Sequence, residues 1–349
     1  MTSPDERVAL IARTLQITPA LWAGVVDDFR AAVPPAAEGE TVDDECTRVL
    51  PVLARAFRAR SPHEAAVPDG HPGATCPACG AGTVRPSLAR APGPLVYGRC
   101  AACGHGLLLT PGPDVSAPYA GARYYTHRDA AGVGYDAYAT EVAYREGKGA
   151  ALMARLASAS GDTVRRLLEI GSGFGYARIA AQRAGVISGG VDLNPEACKE
   201  ARQRYGLETF CGDLAQALVA STSGIVAGAW DAVLYQFVLE HVRDPVAELT
   251  TARAALRPGG WLALLVPNMD AVEIDVFGAG YRSLRADHLH LMTRASLEAI
   301  LRRAGFRLST VESHCNLHLL RGFLSDAALA DIYARGRGPD LWVLARSSP

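Results

Sequence analysis

Residues 167–177 read LLEIGSGFGYA: an apolar run carrying one acid, Glu169, that breaks into a loop with glycines at 171, 173 and 175. The run has strand character, and glycines directly after a strand let backbone approach a ligand where a side chain would block the way. Two cofactor classes use such a turn. The dinucleotide fingerprint needs a third small residue at position 176, where this chain has Tyr176. The spacing present is G-x-G-x-G, with an acid two places before the first glycine. The loop alone does not decide between the classes, so the elements downstream must.

Downstream, strand and helix patterns alternate. Strands are expected at 165–170, 186–192, 208–211, 229–235 and 261–266, with helices at 176–184, 195–204 and 239–256. Repeated strand–helix units imply an α/β fold with a parallel sheet covered by helices on both faces. The second strand, within SGGVDLNP, ends in Asp192, where a carboxylate can accept from two adjacent ribose hydroxyls. The third ends in Cys211-Gly212-Asp213, which sets another acid where an adenine amino group could donate. An irregular stretch then runs to about 292, followed by a helix at 293–304 and strands near 306–313 and 341–345.

Taken together, EIGSGFG, GVDLNP, CGDL, WDAV…LEHVRDP and LRPGGWL, over roughly 163–268, resemble the class I S-adenosylmethionine-dependent methyltransferases. The likeness is strongest to the ubiquinone/menaquinone-methyltransferase-like group. It implies a Rossmann-like sheet of seven strands whose last strand runs antiparallel. It also implies roles by position. Glu169, Gly171, Ser172, Gly173 and Gly175 would surround the methionine part of S-adenosylmethionine. Asp192 and Leu193 would lie at the ribose, Asp213 and Leu214 would flank the adenine, and Gln236 would sit near the cofactor at the end of the fourth strand.

Upstream lie Cys76-Pro-Ala-Cys79-Gly80 and Cys100-Ala-Ala-Cys103-Gly104, with twenty residues between Cys79 and Cys100. Two Cys-x-x-Cys knuckles at this separation can supply four thiolates in a tetrahedron, as structural zinc requires. One zinc per chain is expected. Four protein ligands leave no open position, so its job is stability: a cysteine-rich module of about 35 residues cannot bury enough core alone. Many bacterial methyltransferases of the group named above begin with such a ribbon, followed by a Tyr-Tyr segment, and some sugar C-methyltransferases share the arrangement. The remaining cysteines are scattered.

The bulk numbers bound the partners. With 35 basic and 36 acidic residues the formal charge is -1; a protein that grips long nucleic acid shows a basic surplus, so nucleic acid is not an expected partner. Only Lys148 and Lys199 are lysines. No apolar run approaches the ~20 residues of a membrane span, and acidic residues precede the first apolar run. A soluble cytoplasmic protein with no membrane partner is expected. The reading along the chain gives a helical segment and linker at 1–70, the zinc ribbon at 71–112, and a tyrosine-rich cap with connecting helix at 113–162. The S-adenosylmethionine-binding catalytic domain follows at 163–349, with a cap insertion near 268–292. The first sixty residues, read as three helices, are candidates for a homodimer contact.

On the acceptor side, His288 and His290 lie in RADHLHLMTRASLEAILRRAGF. An imidazole near its reference pKa of ~6.5 can take a proton at neutral pH. Two residues apart on extended chain they face opposite ways, and His288 is the preferred base. His241, after Glu240 in LEHV, and Tyr281 are further catalytic candidates, and Tyr124 and Tyr125 either line the pocket or pack. The expected activity is methyl transfer to a small-molecule acceptor such as a natural-product intermediate or sugar nucleotide. Its rivals are a ribosomal RNA methyltransferase that reads substrate with the ribbon, and a non-catalytic methyltransferase-like subunit.

Overall fold

The computed structural model describes residues 4–68, 73–91, 95–110, 119, 121, 123–128, 133–135, 138–161, 163–314 and 319–348. Three helices come first: α1 (Pro4–Leu15), α2 (Pro19–Ala32) and α3 (Val42–Arg60). Their starts follow from local chemistry. Thr18 caps α2 ahead of Pro19, and Thr41 and Asp44 form a capping box at α3. Their apolar faces turn inward on the chain itself. Trp22, Phe29, Leu53 and Phe57 share a core with Val276, Phe277, Leu320 and Leu329. The helical segment expected at 1–70 thus packs its apolar faces against residues from the far end of the chain.

Strands β1 (Ala74–Thr75), β2 (Thr83–Arg90), β3 (Leu95–Cys100) and β4 (Gly106–Leu108) form an antiparallel sheet that carries both cysteine knuckles. It too is continued by a distant segment, because β10 (His290–Leu291) pairs with β4 through His290↔Leu107 and Leu291↔Gly106. A two-residue strand has no readable period, so this union was not legible beforehand.

After α4 (Val142–Ser160) comes the larger sheet. Its strands are β5 (Arg166–Ile170), β6 (Ile187–Asp192), β7 (Phe210–Cys211), β8 (Trp230–Gln236), β9 (Leu256–Pro267), β11 (Phe306–His314) and β12 (Asp340–Ser347). They lie in the order β11-β12-β9-β8-β5-β6-β7. The pairs among β5 to β9 are parallel, and β12 runs antiparallel to both neighbours. This is the expected seven-stranded sheet with its last strand reversed. Helices α5 (Tyr176–Arg183), α6 (Pro195–Tyr205), α7 (Leu214–Val219), α8 (Pro245–Ala255), α9 (Val272–Phe277), α10 (Arg294–Arg303) and α11 (Asp326–Ala334) complete the fold.

The helix expected at 239–256 divides. A single 3-10 turn holds Leu239–His241, and α8 starts only at Pro245 because Asp244 caps it, accepting from the Val246 and Ala247 amides. That break leaves Glu240 and His241 on a turn beside the strand tips. Strand order reverses about β5, with β6 on one side and β8 on the other, which opens a crevice at their carboxyl ends. No single helix among the described residues is long and apolar enough to cross a membrane.

Candidate active site

The loop after β5 takes its shape from glycine. Gly171, Gly173 and Gly175 have φ of 64°, 52° and 84°, the left-handed region that side chains avoid. A Cβ at these positions would also collide with Val238, Tyr138 and Leu207 respectively. The loop folds back on Asp192 at the tip of β6. Gly173 N–H donates to Asp192 Oδ2 at 2.7 Å and Asn194 N–H to Oδ1 at 2.8 Å. The Tyr125 hydroxyl donates to the same carboxylate, whose pKa is nonetheless raised by burial.

These residues face a cavity of about 1040 Å³ of empty space, measured out to solvent. Glu169, Gly171, Ser172, Asp192, Leu193, Asp213, Leu214 and Gln236 all line it. Gly173 and Gly175 do not; the first orients Asp192 and the second starts α5. Asp213 has a second task, capping α7 by accepting from Gln216 N–H at 2.7 Å. Four buried polar atoms on the wall lack a hydrogen-bond partner among the described residues: Glu169 Oε2, Ser172 Oγ, Gln236 Oε1 and Arg145 Nε. Burial pushes the Glu169 carboxyl up to about 8, against the pull of Arg178. Unpaired buried polar groups are rare in folded proteins, and on a cavity wall they mark where a polar ligand belongs.

The opposite wall is aromatic. Tyr119, Tyr124, Tyr125, Tyr135 and Tyr138 pack edge to face and close over the loop. Asn194 pins this segment, its side-chain amide donating to the carbonyls of Tyr119 and Gly121 at 2.5 and 3.0 Å. Arg145 of α4 stacks on Tyr138 with 3.9 Å to the ring centroid and also lines the cavity. Sequence reasoning did not single out Arg145. It lies before the recognisable motifs, on a helix whose approach to the loop depends on the tertiary fold.

A second cavity, about 1390 Å³ of empty space, adjoins the first and shares Tyr135, Arg145, Gln236, Phe237 and His241 with it. Phe237, with φ of 55°, is held in a backbone conformation that non-glycine residues rarely adopt. His241 Nδ1 lies 2.7 Å from the Asp287 carbonyl, which can only accept, and 2.5 Å from the Tyr119 hydroxyl, which can turn its own proton to Asp287 Oδ2; with Nδ1–H donating, Nε2 is left as an acceptor. His288 lines only the second cavity. Its Nδ1 donates to the Ser283 carbonyl at 2.9 Å, and its ring meets that of His241 edge to face. Burial holds both imidazoles below their ordinary pKa, His288 well below, so both are neutral. Glu240 is fully buried with neither carboxyl oxygen partnered, and burial keeps its proton on. Glu240, His241 and His288 bring ligand atoms within 4.8 Å of one another. Lys148, Arg282 and Arg285 line the same cavity.

Two catalytic candidates sit elsewhere. His290 lies outside both cavities with each ring nitrogen engaged. Its Nε2 donates to the Val242 carbonyl at 2.9 Å, and its Nδ1 accepts from His105 Nε2 at 3.0 Å. Tyr281 is buried, with its hydroxyl within reach of the carbonyls of Pro339 at 3.0 Å and Asn268 at 3.2 Å. Each joins segments of the fold, and neither reaches acceptor space. The geometry corrects both as candidates.

Cys76, Cys79, Cys100 and Cys103 converge on one point, with Sγ atoms 3.7 Å apart for Cys76–Cys103 and 3.8 Å for Cys79–Cys100. Tetrahedral zinc with bonds of about 2.3 Å places its sulfurs about 3.8 Å apart, so the four thiols fit that ion. Gly80 and Gly104 take φ of 74° and 70°, the turn each knuckle needs.

Residues 142–311 match the family model described as a methyltransferase domain. That match places a methyltransferase domain on strands β5 to β9 of the larger sheet. The chain is similar to a ubiquinone biosynthesis O-methyltransferase of Xanthomonas axonopodis pv. citri, 35% identical over 154 residues, covering 42% of this chain and 64% of that protein. A Bordetella avium protein of the same description is 33% identical over 153 residues, covering 42% and 63%. The chain thus spans just under two thirds of the length of these curated relatives. Among solved structures, the Burkholderia thailandensis 1,6-didemethyltoxoflavin-N1-methyltransferase with bound S-adenosylhomocysteine aligns over 60% of this chain and 83% of its own, at 19% identity and a TM-score of 0.42. In the methyltransferase domain, then, the glycine loop, the strand-tip acids and the tyrosine cap share one cavity, His241 lines both cavities, and His288 lines the second alone.

Proposed function

We propose that this chain transfers the methyl group of S-adenosylmethionine to an oxygen of a small-molecule acceptor. The observation that carries the reading is a cavity lined by Glu169, Ser172, Asp192 and Asp213 that shares Gln236, Phe237 and His241 with a second, neighbouring cavity. In the first, Glu169 and Ser172 would hold the methionine part with the loop backbone, Asp192 the ribose, and Asp213 and Leu214 the adenine. Arg145 would face the cofactor's carboxylate. The cofactor supplies a methyl group already activated on a sulfonium. What remains for the protein is alignment in a closed pocket, worth on the order of 7–11 kcal/mol, and removal of the acceptor's proton.

His241 Nε2 is the base in this reading. It stands at the junction of the two cavities, and its Nδ1–H bond to the Asp287 carbonyl fixes the tautomer. His288, preferred on sequence grounds, faces acceptor space alone and sits behind His241. The O-methyltransferase relatives favour oxygen as the acceptor atom. A natural-product intermediate or a sugar nucleotide is the metabolite class that the ribbon-plus-domain arrangement suggests. The four cysteines would hold one structural zinc.

The test is conversion of S-adenosylmethionine to S-adenosylhomocysteine with a panel of hydroxyl-bearing metabolites, including catechols and sugar nucleotides. Methylated product must appear with at least one member. His241→Ala should lower turnover about 10²- to 10⁴-fold while cofactor affinity holds. Equal turnover in a folded variant would remove His241 as the base.

A further inference from the structure

Lys148 is one of two lysines in the chain, and it is only 6% exposed. It projects from α4 into the second cavity, with its ammonium 4.5 Å from the centroid of the Phe237 ring and 4.8 Å from that of Tyr144. Among the described residues no carboxylate pairs with it and no oxygen accepts from it, although an ammonium carries three donors. Apart from Arg13, which is exposed, the cationic neighbours whose contacts are described differ in this respect. Arg145 pairs with Glu141 at 2.6 Å, Arg282 with Asp340 at 2.6 Å, and Arg285 with Asp287 at 2.9 Å. Of the two glutamates on this wall, Glu141 is taken up by Arg145, and burial pushes the Glu240 carboxyl well above the usual carboxylate range.

Resting on the methyltransferase reading, we propose that the acceptor carries an anionic group, a carboxylate or a phosphate, seated on the Lys148 ammonium. An ammonium on a cavity wall with no carboxylate beside it keeps its donors free, and an anionic group entering the cavity can take them up in charge-assisted hydrogen bonds. The placement suits the acceptor and not the cofactor: Lys148 lines the second cavity alone, whereas Arg145, three residues earlier on the same helix face, reaches both. Phe237 forms the floor under the ammonium and the boundary between the cavities. An anion at Lys148 would set the rest of the acceptor towards His241.

The test is calorimetry on the protein saturated with S-adenosylhomocysteine, with catechol, 3,4-dihydroxybenzoate and 2-hydroxyphenyl phosphate as probes. Binding of S-adenosylhomocysteine is measured first; its absence would sink the methyltransferase reading itself. With it bound, at least one anionic probe should bind 10- to 150-fold more tightly than neutral catechol, the span of hydrogen bonds to charged groups. The tighter of the two distinguishes carboxylate from phosphate. Lys148→Met, which keeps the apolar stem, should abolish that preference and leave cofactor affinity unchanged, and Lys148→Arg should restore most of it. Three results overturn the proposal: no preference for either anion, including no binding of either at ~10 mM; a preference that survives in Lys148→Met; or a Lys148→Met variant that loses cofactor instead.

Discussion

The Glu169 carboxyl has an oxygen buried without a partner, and burial pushes its pKa up from an ordinary 4.5 to about 8. Below about pH 4.5 both folded and unfolded chains keep this proton. As pH rises the unfolded chain releases it first, so stability is lost progressively up to the folded pKa of about 8. Glu169→Gln cannot ionise. It should therefore exceed wild type in stability at pH 8 by on the order of 2–4 kcal/mol, with a flatter melting-temperature profile between pH 5 and 8. The same variant should bind S-adenosylmethionine more weakly. Parallel melting profiles would show that Glu169 is ionised already. His290→Ala makes a contrasting case: losing a buried, doubly bonded imidazole should cost about 1–3 kcal/mol in stability, with turnover per folded molecule retained. At this scale the strand-tip acids were legible because each follows a recognisable apolar run. The tasks of His288, His290 and Tyr281 were not, because a hydrogen bond to a distant carbonyl leaves no trace in spacing.

Among the elements, the ribbon is coupled to the acceptor side more closely than its position in the chain suggests. β10 pairs with β4, Thr293 at the start of α10 donates to the Cys103 carbonyl at 2.7 Å, and Arg303 donates to the Pro77 and Ala78 carbonyls at 2.5 and 2.8 Å. Tyr97 of β3 places its hydroxyl against the Arg285 and His288 carbonyls at 2.5 and 2.7 Å. Zinc removal should thus loosen the segment that carries His288. Elemental analysis should find one zinc per chain, and Cys100→Ser should lose the metal, lower the melting temperature and reduce turnover together. A metal-free protein of unchanged stability would contradict this. The four cysteines and their glycines could be read from the sequence by spacing alone. Their attachment to residues 288–303 could not, since it rests on two-residue strands and single side chains.

Across the whole molecule, the first sixty residues act as part of the core. Phe57 meets Phe277 edge to face with centroids 5.0 Å apart, and Trp22 meets Phe323 at 5.7 Å. Phe57→Ala should cost about 3–5 kcal/mol by denaturant titration, whereas a change confined to a detachable segment would leave the main transition untouched. The helices themselves were plain from their 3.6-residue periodicity. Their partners were not, because an amphipathic face does not say which surface will cover it. The larger sheet was the most legible part: buried parallel strands are continuous apolar runs, and the acids at their tips stand out against them. Those tips act together only if they form one cofactor site. Titration calorimetry of S-adenosylmethionine into wild type and Asp192→Ala tests this most directly. One site per chain is predicted for the wild type, weakened by about 1.5–3 kcal/mol in the variant. No binding by wild type, or equal affinity in a folded Asp192→Ala protein, would contradict it.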